Sequence, residues 1–578
     1  MTPPDPAPTA GRHRGPRRRA AALARAVRGC GAFVLAGTAV LIAVALVAHL
    51  LGAEPNDVVN TTLLWVVVAL ALYTAAINTS YLILVTAAFL DLGRYRSRID
   101  FANYDEWFRD PNVQGVSVLI PAHNESASIL TTLAAMAGLH YPDFEVIVID
   151  DGSRDDTCAK IVADLQMSAV PLLATHQLPT KATVTGTWVA TRGNVTFTLV
   201  TTTGGGKADA LNVGTNYARK ELVCCVDADS LLENTALLHV ARPFAENPNV
   251  VATGGVVRVA NGATVRAGRV TDPHVPAALL PIIQVVEYLR AFFIGREGWS
   301  RVGGMIIISG AFGVFRTSTL VEIGGYAVDC IGEDAELVVR LHRRLYENGL
   351  DGGEIQMVPE PVAWTEVPTS LRVLSRQRRR WHRGLADLFS RHRGMVGNPR
   401  YGVVGVLTMP WFLLFELLAP AIELTGYVYL ATLLLLGGTT GLAETLDPDS
   451  PVAGAASALG VGELNLTVAA ALALASILFS AFVTLLACLA EELTFARYRT
   501  NRDLARLLAG VAVENLGFRQ LSAWWRLRGL IDGIRNHATA WGDMERAGFG
   551  DAHPDAHTDS GSGSAPATPT SATGEPAR

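Results

Sequence analysis

Apolar positions fall into two textures along the chain. Long, nearly unbroken runs stand at 30–51, 61–90, 403–436 and 464–490, and the third of these is interrupted by Pro410, Glu416, Pro420 and Glu423. Each reaches the roughly 20 residues that a helix needs to cross the hydrocarbon core of a bilayer. A shorter run at 504–518 fits a re-entrant or interfacial segment. Between the second and third runs the texture changes to short β-rich stretches alternating with polar helical ones. VSVLIPAHN and FEVIVIDDGS are apolar throughout and end in polar loops, the pattern of parallel strands buried on both faces. The helical spacing of 125–139 between them predicts a βαβ unit, whose ligands sit beyond the strand carboxyl ends. The Thr- and Val-rich stretch 170–206 alternates, and reads as an extra hairpin or loop beside the sheet.

Charge orients this arrangement. Arg12, Arg14, Arg17, Arg18, Arg19, Arg25 and Arg28 precede the first run, and Arg94, Arg96 and Arg98 follow the second. Basic flanks stay in the cytosol, so the chain is expected to go out, return, and carry its central domain on the cytosolic side. Residues 440–463 hold acids and no Lys or Arg, which suits the outer face. Expected units are a basic cytosolic tail (1–29), two transmembrane helices (30–92), a cytosolic catalytic domain with interfacial helices (112–385), a C-terminal transmembrane region (401–518), a cytosolic interfacial segment (519–550) and a disordered Ser/Thr/Pro/Ala/Gly-rich tail (551–578).

Composition agrees: half of the residues are apolar and 17% are charged, against about a quarter charged in soluble domains. The net charge of −5 gives no reason to invoke nucleic acid. The six cysteines show no CxxC or zinc-ligand spacing and read as reduced thiols.

Five clusters in the central region carry candidate chemistry. Asp150-Asp151-Gly152-Ser153 ends a strand, where a carboxylate can accept from a uracil N–H or a ribose hydroxyl, or simply make a turn. Gly204-Gly205-Gly206-Lys207-Ala208-Asp209-Ala210-Leu211-Asn212 lets a backbone and a lysine approach a phosphate, without Walker spacing, or forms a turn before a helix. Asp227-Ala228-Asp229 places two carboxylates after the strand LVCCV, within reach of one Mg2+ or Mn2+ shared with a diphosphate, or makes a solvated acidic turn. Glu333-Asp334 precedes a helix expected from Ala335; Asp334 is a candidate general base or a helix cap. Gln377, Arg380 and Trp381 share one helix face, a platform for a sugar ring beside a cation for phosphate charge, or part of a basic juxtamembrane stretch.

In order and placement, Asp151, Asp227/Asp229, Glu333-Asp334 and Gln377-x-x-Arg380-Trp381 resemble the D, D-x-D, [TE]-E/D-D and Q-x-x-R-W series of family 2 glycosyltransferases. The set is more closely similar to the membrane-embedded processive members: cellulose, chitin, hyaluronan and poly-N-acetylglucosamine synthases. SGAFGVFR (309–316), FRQLSAWWRLRG and WGDMERAGF look like the poly-N-acetylglucosamine branch. The resemblance implies an α/β GT-A nucleotide-sugar-binding domain inserted between transmembrane helices. It implies uridine contact at Asp151, diphosphate contact near Lys207, metal at Asp227 and Asp229, base catalysis at Asp334, and acceptor and diphosphate contacts at Glu333, Gln377, Arg380 and Trp381. The implied cofactor is Mg2+ or Mn2+. The implied partners are a nucleotide-sugar donor, UDP-GlcNAc favoured, a growing glycan or lipid acceptor, and the lipid bilayer of the plasma (inner) membrane. The insertion at 170–206, just before the lysine motif, departs from the family pattern and bears on where that motif aligns. A cytosolic β-barrel domain after the spans, as in bacterial cellulose synthase, is not expected, which disfavours cellulose as the product. Transfer of one sugar to a lipid is the nearest alternative. A nucleotide-binding transporter, using Glu416 and Glu423, is a distant one.

Overall fold

The computed structural model describes residues 55–99, 107–108, 113–347, 353–428, 431, 463–498 and 500–535. The expected span at 30–51, the basic tail, the outward loop up to residue 462 and the C-terminal tail lie outside the described residues.

Helix α1 (Pro55–Ile99) leads in, and its stretch Val68–Leu90 is long and apolar enough to cross a membrane. The βαβ unit forms as its sequence pattern demands. Strand β1 (Val116–Ala122) is followed by α2 (Ile129–Ala137) and then by β2 (Phe144–Asp150), all of whose side chains are buried. Next come α3 (Thr157–Leu165), β3 (Ser168–Ala169), β4 (Val184–Arg192), β5 (Val195–Thr202) and α4 (Lys207–Tyr217). Strand β6 (Leu222–Val226), β7 (Ser230–Leu232), α5 (Ala236–Glu246) and β8 (Val250–Val259) complete the middle of the domain. A small hairpin, β9 (Thr264–Arg266) and β10 (Arg269–Asp272), leads to α6 (Leu279–Phe292). The remainder is β11 (Phe312–Arg316), α7 (Glu333–Glu347), β12 (Glu354–Thr365) and α8 (Leu371–Arg391), then α9 (Glu463–Phe495), α10 (Asn501–Val513) and α11 (Arg519–Ile534).

Ten strands form one sheet in the order β3-β4-β5-β2-β1-β6-β11-β8-β12-β7. Strands β5, β2, β1 and β6 run parallel, and the chain reverses direction of growth at β1, between β2 and β6. The crevice beyond the carboxyl ends at such a reversal is where open α/β sheets bind ligands. The 170–206 segment corrects the expectation of an accessory hairpin. Its second arm, β5, pairs parallel with β2 from Glu145↔Thr196 to Asp150↔Thr201 and belongs to the central sheet. Its threonines hide this from a hydropathy reading: Thr198, Thr201 and Thr202 are all buried. Only β4 and β3 extend outward as an edge.

After α8 the chain enters the second candidate crossing stretch, Val404–Val428. It is not a uniform helix: π-helical turns occupy Val404–Thr408 and Leu413–Leu417 on either side of Pro410. Its rings pack on α1 and on the turn Trp299–Arg301 beyond α6, with Trp411 against Tyr81 and Trp299. The 464–490 run lies in the 33-residue α9, whose described apolar stretch is the shorter Leu474–Ala490. The 504–518 run splits: α10 packs on α6, and the chain bends at Leu516 and Gly517 before α11. Helix α11 then lies along α8, and Arg379 clamps Asp532 across the pair.

Candidate active site

The carboxyl ends of β1, β2, β5 and β6 open into a cavity of about 1130 Å3 that continues between α6, α7 and α8 to the apolar helices. Its lining includes Asp151, Lys207, Asp227, Asp229, Glu333, Asp334, Gln377, Arg380 and Trp381. The fold therefore gathers these nine residues onto one surface.

Asp151 follows β2, and its side chain organises the glycine loop. Gly205 N donates to Oδ1 at 2.7 Å and Gly206 N donates to Oδ2 at 2.8 Å. The loop needs glycine at 204 and 206, where φ is +90° and +92°. At Gly205 a Cβ would lie 2.1 Å from the Asp209 carboxylate. That carboxylate is fully buried and cannot retreat, because it accepts from Lys181 N at 2.7 Å and Ala182 N at 2.8 Å. The backbone is thereby tied to the start of α4, whose N-terminal dipole faces the cavity and favours an anion.

Lys207, the first residue of α4, sends Nζ to Asp227 Oδ1 at 2.5 Å and to Gly310 O at 3.1 Å. Burial works against the ammonium, yet the Asp227, Glu333 and Asp334 carboxylates outweigh it and raise its pKa above the ordinary value. Lys207 is a fixed positive charge beside the two aspartates. Asp227 is half-buried and Asp229 is buried, both just after β6. They offer oxygen donors only. Among the described residues no group of three or more His, Cys, Asp or Glu is placed to hold a metal ion. Two carboxylates on a cavity wall fit a Mg2+ or Mn2+ that completes its shell with substrate phosphate, and do not fit a cation caged by protein alone.

Helix α7 begins at Glu333 rather than at Ala335, so both acids sit in its first turn, where the dipole favours negative charge. Asp334 Oδ2 accepts from Gly310 N at 3.0 Å, and Oδ1 accepts from Ala335 N at 2.8 Å. Gly310, in the turn before β11, thus touches both Lys207 and Asp334. Burial, with the Asp334 charge behind it, pushes Glu333 up to about 7. Glu333 therefore holds a proton near neutrality, and beside it Asp334 has both carboxylate oxygens engaged by backbone N–H groups.

Helix α8 is capped by Ser370, whose hydroxyl accepts from Val373 N. It lays Gln377, Arg380 and Trp381 on the cavity wall. Trp381 is 43% exposed, an apolar face available to a sugar ring. The Arg378 guanidinium stacks on that ring at 4.6 Å and pairs with Glu287 of α6 at 2.6 Å. A second tie joins α7 to the end of α8: Glu336 meets His392 at 3.3 Å, and within α7 it pairs with Arg340 at 2.9 Å. Burial alone would raise Glu336, but those hydrogen bonds hold it at about 2.

Glu287, Glu336 and His392 are not singled out by sequence pattern, and Asp209 and Gly310 lie in marked stretches without a role of their own. Asp209 lies inside the glycine–lysine cluster and Glu336 beside Asp334, so proximity was the available signal. Gly310 lies within the SGAFGVFR stretch that the resemblance marks, whereas Glu287 has no such signal and reaches the site only through long-range packing.

Residues 111–384 match the family described as "Glycosyltransferase like family 2". A poly-beta-1,6-N-acetyl-D-glucosamine synthase of Staphylococcus epidermidis is 30% identical over 272 residues, which cover 47% of this chain and 55% of the relative. The Staphylococcus aureus protein of that name is 28% identical over 286 residues, covering 48% and 57%. The chain spans about half the length of the curated relatives it matches. Among solved structures, a mannosyltransferase of Pyrobaculum calidifontis in complex with GDP-Man and Mn2+ is 20% identical, with TM-score 0.41, covering 78% of this chain and 99% of that one. S. aureus TarS 1-349 in complex with UDP-GlcNAc is 14% identical, with TM-score 0.31, covering 70% and 92%.

Proposed function

We propose that residues 111–384, which match the family 2 glycosyltransferase description, form a glycosyltransferase domain, and that the chain extends a β-linked polysaccharide from UDP-GlcNAc at the cytosolic face of the inner membrane. The observation that carries the reading is the convergence on one cavity of the glycine loop, the Asp227/Asp229 pair, Asp334 and the Gln377-x-x-Arg380-Trp381 face. The name borne by the staphylococcal relatives favours N-acetylglucosamine as the sugar. The cavity's continuation to Tyr81, Trp411 and Phe415 favours a product that leaves between the apolar helices.

In this reading the nucleotide lies over the carboxyl ends of β2 and β6. Asp151 holds the loop whose backbone and α4 N-terminus face the diphosphate. Lys207 and Arg380 offset phosphate charge from two sides. Asp227 and Asp229 would hold a divalent cation, which would offset the charge of the leaving nucleoside diphosphate so that it needs no proton. Trp381 carries the acceptor ring, and Asp334 takes the proton from its attacking hydroxyl as oxygen bonds to the anomeric carbon. One displacement with one base inverts the configuration, unlike the two-carboxylate retaining scheme.

The test is purified full-length protein incubated with a panel of UDP- and GDP-sugars, following nucleotide release and product size. Release from UDP-GlcNAc with β-linked polymer supports the reading. Lipid-linked monosaccharide as the sole product replaces it with single transfer, and no release from any donor overturns it.

A further inference from the structure

Helix α6 does not end where its regular turns do. A π-helical turn at Phe293–Gly298 follows directly, and one more α-helical turn at Trp299–Arg301 continues the rod. Such turns give up good hydrogen-bond geometry and concentrate at functional sites. This one places Arg296 on the cavity wall. Its guanidinium lies 3.9 Å above the Phe292 ring. Among the described residues it makes no ion pair or hydrogen bond, and its buried Nε has no partner. Neighbouring arginines on the same cavity differ: Arg290 pairs with Glu514, Arg378 with Glu287 and Arg526 with Glu416. Burial lowers Arg296 to about 10, and the Asp334 charge offsets this only in part.

Arg296 is half-buried, with its Nε shut away from water. A guanidinium partly withdrawn from water without a carboxylate is costly, and an open cavity beside it lets a ligand supply the missing acceptors. Position selects the ligand. Lys207 and the Asp227/Asp229 pair mark the donor end, and Gly310 joins Lys207 to Asp334 at the boundary. The π turn approaches from the other side: a Cβ on Gly298 would meet the Leu84 carbonyl of α1 at 2.8 Å, and Trp299 packs on Trp411 and Phe412. Arg296 therefore borders the space between Asp334 and the apolar helices.

We propose that Arg296 contacts the glycosyl acceptor, donating hydrogen bonds to hydroxyl or acetamido oxygens of the sugar and orienting its nucleophilic hydroxyl towards Asp334. This rests on the glycosyltransfer reading and adds a residue to it.

The experiment uses full-length wild type, Arg296→Ala and Arg296→Lys in detergent, with UDP-GlcNAc as donor and a short β-linked GlcNAc oligosaccharide as acceptor. UDP affinity is measured calorimetrically on the same preparations. Loss of charged hydrogen bonds predicts an acceptor KM about 10- to 100-fold higher in Arg296→Ala, with UDP Kd unchanged and partial recovery in Arg296→Lys. An unchanged acceptor KM, or UDP affinity falling in step with turnover, overturns the assignment while leaving glycosyl transfer intact. Wild type that binds UDP but turns over no UDP-GlcNAc overturns the functional reading and this inference with it.

Discussion

Gly332 and Gly384 meet backbone to backbone: a Cβ on Gly384 would stand 3.0 Å from Gly332 N, and one on Gly332 would stand 3.3 Å from Gly384 Cα. This contact sets the separation between the first turn of α7, with its two acids, and the helix face that carries Gln377, Arg380 and Trp381.

Substituting Gly384 with Ala tests that separation. Alanine is the better helix former by about 1 kcal/mol, so propensity alone predicts a stabler protein. The added methyl would instead meet the Gly332 backbone at 3.0 Å, so the two elements must part by a few tenths of an ångström. A displacement near 1 Å costs about 10²-fold in rate, so this smaller one costs about tenfold. Turnover of Gly384→Ala should fall by about that factor while UDP affinity stays near wild type. Steady-state kinetics with UDP calorimetry reads both, and wild-type turnover would show that the spacing has slack.

Much of this site was legible in the sequence, and the reason is local. Asp151, Asp227 and Asp229 each follow an apolar strand, so the strand pattern alone delivers them to one edge of the sheet. Gln377, Arg380 and Trp381 share a face because a helix repeats at 3.6 residues. The unread parts depend on distance along the chain. β5 escaped because its buried threonines look like surface, and only pairing with β2, some fifty residues earlier, makes it central. Gly310 and Gly384 carry no side-chain signal, and Arg296 acquires meaning only from the carboxylate it lacks. The start of α7 was placed two residues late because a Glu-Asp pair reads equally well as a cap and as a first turn.

Glu333 makes stability depend on pH in a defined direction. Its carboxyl is pushed from the ordinary 4.5 up to about 7 by burial, and then by Asp334. The folded protein holds this proton more tightly than the unfolded chain does. The stabilisation is therefore complete below about 4.5 and is lost as pH rises through about 7. Thermal unfolding of Glu333→Gln, without donor, should show a Tm that declines less than wild type between those limits. Parallel pH curves for the two proteins would remove Glu333 from the titration.

Metal removal separates the Asp227/Asp229 reading from an acidic turn. Nucleotide release should fall to background in excess chelator and return on adding Mg2+ or Mn2+. Asp229→Ala should lose turnover and weaken donor binding, because two carboxylates are already few for a cation shared with diphosphate. Release assayed with EDTA is the measurement, and full activity in the chelator would leave the pair with a structural role.

Asp334→Asn addresses the chemistry itself. Asparagine keeps the size and an oxygen for the Gly310 or Ala335 N–H, and removes the ability to take a proton. A positioned base is worth about 10²–10⁴-fold in rate, so kcat for sugar transfer should fall by that range. The UDP dissociation constant should not move, because Asp334 lies beyond the donor end marked by Lys207 and Asp227. Measuring kcat and UDP Kd on one preparation of Asp334→Asn is the most direct test. A loss of that size in kcat with unchanged UDP affinity is the result the mechanism requires; near-normal transfer would reduce Asp334 to the opening residue of a helix.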